Sequence, residues 1–140
     1  LVGDAFHNFL DGLMIATSYA LSLPLGITTT TAVLLHEIPQ EVGDFGVLLF
    51  AGYSKKKALL MNFFISLTAL VGGVFGLFLS KNISSFSAIM TAFTAGGFIY
   101  IATADLIPEM KKETKIDKTA IQFIGLIVGI GIMILMLLLG

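Results

Sequence analysis

Five long apolar stretches constrain this chain more than any other feature of its sequence. A helix needs about 20 residues to cross the hydrocarbon core of a bilayer, and each stretch is at least that long. None shows the strict apolar–polar alternation of a membrane β-strand. The sequence therefore predicts an all-α, polytopic membrane protein with five transmembrane helices, over residues 1–23, 27–53, 58–79, 86–109 and 119–139.

The composition agrees with a membrane protein. Apolar residues make up 56% of the 140 residues and charged residues 12%, whereas soluble domains contain about 25% charged residues. A net charge of −1 indicates no nucleic-acid partner, and the lack of Cys excludes thiolate ligands for a metal. We interpret residues 1–140 as one transmembrane domain. Because the sequence begins without Met, six residues before its first polar cluster, we expect a piece of a longer protein.

Lysines indicate how the helices are oriented. Seven of the eight Lys lie in the loops after the second and fourth stretches. Because Lys-rich loops remain on the cytoplasmic side, residues 55–57 and 111–118 are predicted to be cytoplasmic. The N-terminus is then cytoplasmic as well, and the C-terminus lies on the opposite side.

Glycines mark the expected helix contacts. Small residues let transmembrane helices approach closely, so the sequence predicts packing faces in the third, fourth and fifth stretches. These glycines are Gly72, Gly73, Gly76, Gly96, Gly97, Gly125 and Gly129.

Two polar clusters interrupt the first two stretches. Residues 7–12 read HNFLDG and residues 36–44 read HEIPQEVGD. An ionised carboxylate near the bilayer centre costs about 2.5–3.5 kcal/mol on insertion scales, so several of them require compensation. Helical spacing puts the polar groups of each cluster on one arc, about 100° wide in the first stretch and about 140° in the second. The clusters lie at similar depths in antiparallel helices, so we expect them to face each other.

A divalent cation shared by the two helices is the simplest compensation. Imidazole nitrogen together with carboxylate oxygen suits Zn²⁺, Fe²⁺ or Mn²⁺, and the amides of Asn and Gln are weaker ligands. For any single residue, a hydrogen bond between helices is the alternative. Near the predicted cytoplasmic end of the fourth stretch, Asp105 and Glu109 form either an exit-side cation site or a solvated pair. The candidate metal ligands are His7, Asn8, Asp11, His36, Glu37, Gln40, Glu41, Asp44 and Asp105.

The two motifs, HNFxDG from His7 and HExPxExGD from His36, resemble those of the ZIP (Zrt/Irt-like protein) family of metal-ion transporters. The segments AGGFIY at residues 95–100 and DLIPE at residues 105–109 resemble the seventh helix of that family. The resemblance implies that the five stretches correspond to helices four to eight of an eight-helix fold, without its first three helices.

The resemblance also implies roles for individual residues. The primary transport site would comprise His7, Asp11, His36 and Gln40. An adjacent second site would use Asn8, Asp11, Glu37, Gln40 and Glu41. Asp44 would lie on the release path, and Asp105 matches a release-side position of some members. Gln40 stands where many members have His or Glu, which should weaken that ligand position.

The predicted function is transport of a divalent metal ion, zinc or iron, toward the cytoplasm, with Mn²⁺ and Cd²⁺ left open as cargo. The protein would be a multi-pass protein of the plasma membrane or another cellular membrane, and a homodimer is compatible with the sequence. One alternative is a metal-binding structural or sensor protein without transport. An intramembrane metalloprotease is disfavoured, because Gln40 replaces the second His of HExxH. We therefore expect no enzymatic activity.

The lysine distribution can be tested by labelling. A Cys introduced at Lys56 should resist an impermeant thiol reagent applied to intact cells, because that loop is predicted to be cytoplasmic. A Cys at Asn82, in the loop after the third stretch, should label readily and serves as the control. Labelling at position 56 equal to that at position 82 would overturn the predicted orientation.

Overall fold

The computed structural model describes residues 1–112 and 114–139, without the side chains of Ile101, Asp105, Leu106, Glu109, Met136, Leu137 and Leu139. The described residues are helical and contain no strand. In chain order the elements are α1 (Val2–Leu21), α2 (Leu23–Phe50), α3 (Lys55–Ser66), α4 (Thr68–Asn82), α5 (Phe86–Ile101), a π-helical turn (Ala102–Leu106), α6 (Ile107–Lys111) and α7 (Ile116–Leu139). The predicted all-α architecture of five long segments is confirmed, with α3 and α4 forming the third segment and α5, the π-turn and α6 forming the fourth.

Three of these segments are long and apolar enough to cross a membrane: Lys55–Asn82, Phe86–Ala104 and Ile116–Leu135. Their large apolar side chains, such as Phe78 and Ile121, are exposed on the outside of the helices. Helices α1 and α2 have 20 and 28 residues, and they carry the polar clusters that lower their mean hydropathy.

The turn between α1 and α2 is shorter than the sequence predicts. The predicted stretches leave residues 24–26 between them, but these residues lie within α2, because Ser22 alone separates the two helices. The Ser22 hydroxyl accepts a hydrogen bond from the Leu25 N–H at 3.3 Å and caps α2. Pro24 occupies the first turn, where its missing N–H leaves no hydrogen bond unmade. Gly26 packs against the Tyr19 ring, which a Cβ at this position would overlap.

The third segment is interrupted at Leu67, between α3 and α4, although its sequence predicts one continuous helix. The Ser66 hydroxyl donates to the Asn62 carbonyl at 3.0 Å, and the Thr68 hydroxyl lies 2.7 Å from the Ile65 carbonyl. Such bonds between a hydroxyl and the backbone compete with regular helix geometry. The Thr68 hydroxyl also lies 2.8 Å from the Ala5 carbonyl of α1, so the break is stabilised by a contact between helices.

Helix α1 is central, with α2, α3, α4 and α5 packed around it. Its contact with α4 is the closest, because a Cβ at Gly12 would overlap the Ala69 carbonyl and a Cβ at Gly72 would overlap the Phe9 carbonyl. This packing role was predicted for Gly72 and Gly76 and is confirmed. The packing predicted for four other glycines is not found among the described residues, where a Cβ would meet open space at Gly96, Gly97, Gly125 and Gly129.

The contact between α1 and α4 generates a test that compares two adjacent glycines. Gly72→Ala should destabilise the protein by about 1–3 kcal/mol, the usual cost of overpacking, because the new methyl group would collide with the α1 backbone. Gly73→Ala is the matched control, since the nearest atom to its Cβ would be 3.7 Å away and its gain in helix propensity is the same. Thermal unfolding in detergent micelles measures the difference. Equal unfolding temperatures for the two variants would contradict the close contact.

Candidate metal centre

Four side chains from α1 and α2 converge on one point. His7 and Asp11 of α1 and His36 and Glu37 of α2 each offer a ligand atom, and these atoms all lie within 4.8 Å of one another. Asp11 Oδ2 lies 3.2 Å from His36 Nε2 and 3.6 Å from His7 Nε2. Glu37 Oε1 lies 3.3 Å from His7 Nε2 and 3.5 Å from His36 Nε2. The Asp11 side chain is 2% exposed, and the other three are partly buried.

Helical geometry explains why these residues meet. His7 and Asp11 are four residues apart and therefore lie on one face of α1. The α1–α2 hairpin turns at Ser22, with His7 15 residues before it and His36 14 residues after it. In antiparallel helices with equal rise per residue, those counts place the two imidazoles at the same depth. Their ring centroids are 5.6 Å apart in an edge-to-face arrangement.

Two neighbours orient the His36 ring. Its Nδ1 lies 3.0 Å from the Ala32 carbonyl oxygen, and because a carbonyl only accepts, Nδ1 carries the hydrogen. In the neutral ring Nε2 then keeps its lone pair and directs it toward Asp11 and Glu37. Phe98 of α5 packs edge-to-face against the same ring, with centroids 5.6 Å apart. The imidazole is therefore fixed in position with its ligand nitrogen facing the carboxylates.

The centre of the cluster holds buried polar atoms that lack a hydrogen bond. His7 Nε2, Asp11 Oδ1 and Glu37 Oε1 are buried without a hydrogen-bond partner within the described part of the chain. Unpaired polar atoms are costly when buried, and a carboxylate is costlier than a neutral group. A divalent cation would satisfy all of them, since nitrogen and oxygen ligands at this spacing suit a borderline metal ion.

The other predicted ligands lie beside this cluster. Asn8 is buried, and its amide nitrogen donates to the Asp4 carbonyl of the same helix at 3.0 Å. Gln40, Glu41 and Asp44 are partly buried and continue along α2 away from the hairpin turn. Neither Glu41 nor Asp44 joins the four clustered side chains. The Asp105 side chain lies outside the described residues. Metal binding by any of the nine remains a prediction.

Two contacts of the site were missed in the sequence. The Ala32 carbonyl could have been found from spacing, because a residue four positions before a helical His can accept from its ring. Phe98 could not, because its contact with His36 depends on how α5 packs against the first two helices. Two polar side chains of the third segment join it to the helices of the site: Thr68 contacts the Ala5 carbonyl of α1, and Asn62 donates to the Glu41 carbonyl of α2 at 2.9 Å.

Known proteins similar to this chain carry consistent names. "Zinc transporter zipt-7.2" of Caenorhabditis elegans is 42% identical over 139 residues, which cover 96% of this chain and 30% of that protein. "Zinc transporter ZIP10" of Danio rerio is 38% identical over 96% of this chain and 17% of its own length. "Zinc transporter foi" of Drosophila melanogaster is 37% identical over 99% of this chain and 20% of its own length.

The similarity covers nearly all of this chain and a minor part of each relative, since the chain spans 17–37% of the length of these and other zinc transporters. No solved structure matches the chain significantly. The family described as ZIP zinc transporter matches residues 1–137, which include both polar clusters, the first four long segments and nearly all of the fifth. The chain therefore belongs to the ZIP zinc transporter family and is a multi-pass integral membrane protein.

Proposed function

We propose that this chain forms the metal-conducting part of a transporter that moves Zn²⁺ through the membrane toward the cytoplasm. The observation that carries the proposal is the convergence of His7, Asp11, His36 and Glu37 between two helices, with their ligand atoms within 4.8 Å. The relatives are named as zinc transporters, which supports zinc as the cargo. Fe²⁺ remains a second candidate cargo, because imidazole and carboxylate ligands also suit it.

The chemistry of the cluster supports reversible binding. A structural zinc site is usually closed by four Cys or His ligands. This cluster mixes two imidazoles with two carboxylates, and amides at Asn8 and Gln40 lie next to it along the helices. A weaker ligand at Gln40 would leave the ion less firmly held than a further His or Glu. A transported ion must be released again, so moderate affinity favours transport.

The burial around the cluster differs between its two sides. Toward the hairpin turn, α1 and α2 carry buried residues, including Met14, Thr17 and Val33. In the other direction, Glu41 and Asp44 are partly exposed. The lysine distribution predicts that this second side is cytoplasmic. A cation leaving the cluster would meet carboxylates there, whereas the other side offers buried side chains without a negative charge, which supports release toward the cytoplasm.

A membrane metal sensor without transport is the alternative function. Purified full-length protein in vesicles separates the two, because a transporter moves metal into the vesicle lumen and a sensor only binds it. Zinc uptake measured against competing Fe²⁺, Mn²⁺ and Cd²⁺ would also rank the cargo. Zinc binding without uptake would favour the sensor, and cleavage of a membrane peptide would indicate a protease.

Replacing the most buried carboxylate should stop transport. Asp11→Asn keeps the shape of the side chain and removes the charge between both imidazoles, so zinc uptake should fall by at least about 100-fold, equivalent to about 3 kcal/mol. Asp117→Asn is the control, because Asp117 is an exposed carboxylate in the first turn of α7. Uptake by Asp11→Asn at the level of the control would show that Asp11 does not bind the transported ion.

The two imidazoles should act together. His7→Ala and His36→Ala should each weaken zinc affinity strongly. The change in binding free energy of the double variant should be much smaller than the sum of the two single changes. Groups that share one ion are coupled in this way. A double-mutant cycle on zinc affinity measures the coupling. Additive effects would mean that the two helices do not form one site.

The amide at position 40 should determine how firmly the ion is held. Gln40→His introduces a stronger ligand one helical turn from His36, so zinc affinity should rise and release should slow, because tighter binding stabilises the ground state. Gln122→His, on α7, is a control for adding an imidazole elsewhere. Unchanged affinity in a competition assay would show that Gln40 does not contact the ion.

A further inference from the structure

A second polar contact joins α1 and α2, closer to the hairpin turn than the candidate metal centre. The Thr29 hydroxyl of α2 donates to the Ser18 hydroxyl of α1 at 3.0 Å. Ser18 is 1% exposed and Thr29 is 6% exposed. The contact is therefore shielded from water, and neither hydroxyl can exchange its partner for solvent without opening the interface.

The hydroxyl contact and the metal centre share one helix register. Seven residues separate Ser18 from Asp11 along α1, and seven separate Thr29 from His36 along α2. Seven residues make nearly two helical turns, so each pair lies on one face, about 10 Å apart along the helix. The contacts Ser18–Thr29 and Asp11–His36 therefore occur in the same register of the two antiparallel helices.

Thr29 differs from its neighbours in a run of four threonines. The hydroxyls of Thr28, Thr30 and Thr31 donate to the carbonyls of Pro24, Gly26 and Ile27 in their own helix, at 2.8–2.9 Å. This bond to the residue four positions back is the usual one for Thr in a helix. Thr29 instead bonds to Ser18 on the neighbouring helix.

A shift in register would break both contacts. If α2 slides by one residue along α1, each of its side chains moves by about 1.5 Å. The next residue of α2 then takes each place in the interface only if the helix also rotates by about 100° about its axis. Ser18 would then lose its donor, and His36 would no longer face Asp11. Close packing of the Tyr19 ring on the backbone of Gly26 opposes the same shift next to the turn.

We propose that Ser18 and Thr29 are positioning residues, which set the register of α1 against α2 and so hold Asp11 opposite His36. This inference rests on the proposed function in one respect, since zinc affinity is its readout. Neither hydroxyl needs to contact the ion.

The test uses the full-length protein in detergent, with zinc affinity measured by competition with a chelator. Thr29→Val keeps the shape of the side chain and removes the hydroxyl, so affinity should fall about three- to tenfold, the size of one interhelical hydrogen bond. Thr29→Ser should restore most of the affinity. Thr30→Val is the matched control and should bind zinc normally, because its hydroxyl bonds within α2. A lower unfolding temperature for Thr29→Val with unchanged affinity would reduce the pair to a structural contact and overturn the proposal.

A cross-link provides a second test that does not depend on the hydroxyls. The 140 residues contain no Cys, so the double variant Ser18→Cys/Thr29→Cys can form one defined disulfide within them. The two oxygens lie 3.0 Å apart, so the side chains already point toward each other across the interface, as the partners of a disulfide must. We expect weak zinc binding in the reduced form and nearly native affinity after oxidation, because the bond restores the register. Failure to cross-link, or no recovery on oxidation, would overturn the proposal.

Asp11→Asn distinguishes the two proposals. If this variant weakens zinc binding and Thr29→Val does not, the register proposal is wrong and the metal centre stands. If wild-type protein binds no zinc, or Asp11→Asn binds it normally, the metal centre is wrong and the positioning role falls with it. A disulfide between positions 18 and 29 would then show only that α1 and α2 are in contact, and it would carry no information on metal binding.

Discussion

The rest of the structure depends on keeping two carboxylates and two imidazoles together between helices, where they are largely removed from water. Separated in an apolar environment, each carboxylate would be strongly destabilised. Within 4.8 Å of one another, the four groups can share a cation or a proton. The central position of α1 fits this arrangement, because α2, α4 and α5 surround the helix that carries the buried Asp11.

Asp11 and Gly12 show how burial and packing are linked. The two residues are adjacent and point about 100° apart on α1. Asp11 faces the imidazole of α2, while Gly12 lets the backbone of α4 come into direct contact on the neighbouring face. A larger residue in place of Gly12 would push α4 away and open the flank of the carboxylate. The small residues of α1 and α4 are therefore part of the enclosure of the candidate metal centre.

Much of this arrangement could be predicted from residue spacing alone. The pairing of His7 and Asp11 follows from one helical turn, and the depth of His36 follows from its distance to the hairpin turn. Other features depend on tertiary contacts. Pro24 can serve either in a turn or in the first turn of a helix, and only the Ser22 cap distinguishes them. The break at Leu67 involves the contact of Thr68 with Ala5, which no local pattern reveals.

The break at Leu67 has a mechanical consequence. Below it, Asn62 of α3 is tied to the backbone of α2, and above it, α4 is locked against the backbone of α1. The two halves of one membrane segment thus make their interhelical polar contact and their closest packing with different helices. The backbone at Leu67 keeps nearly helical angles, φ −61° and ψ −19°, so the third segment links these contacts through one nearly continuous helix. A displacement of α2 relative to α1 would therefore also strain the contacts that the third segment makes with both helices.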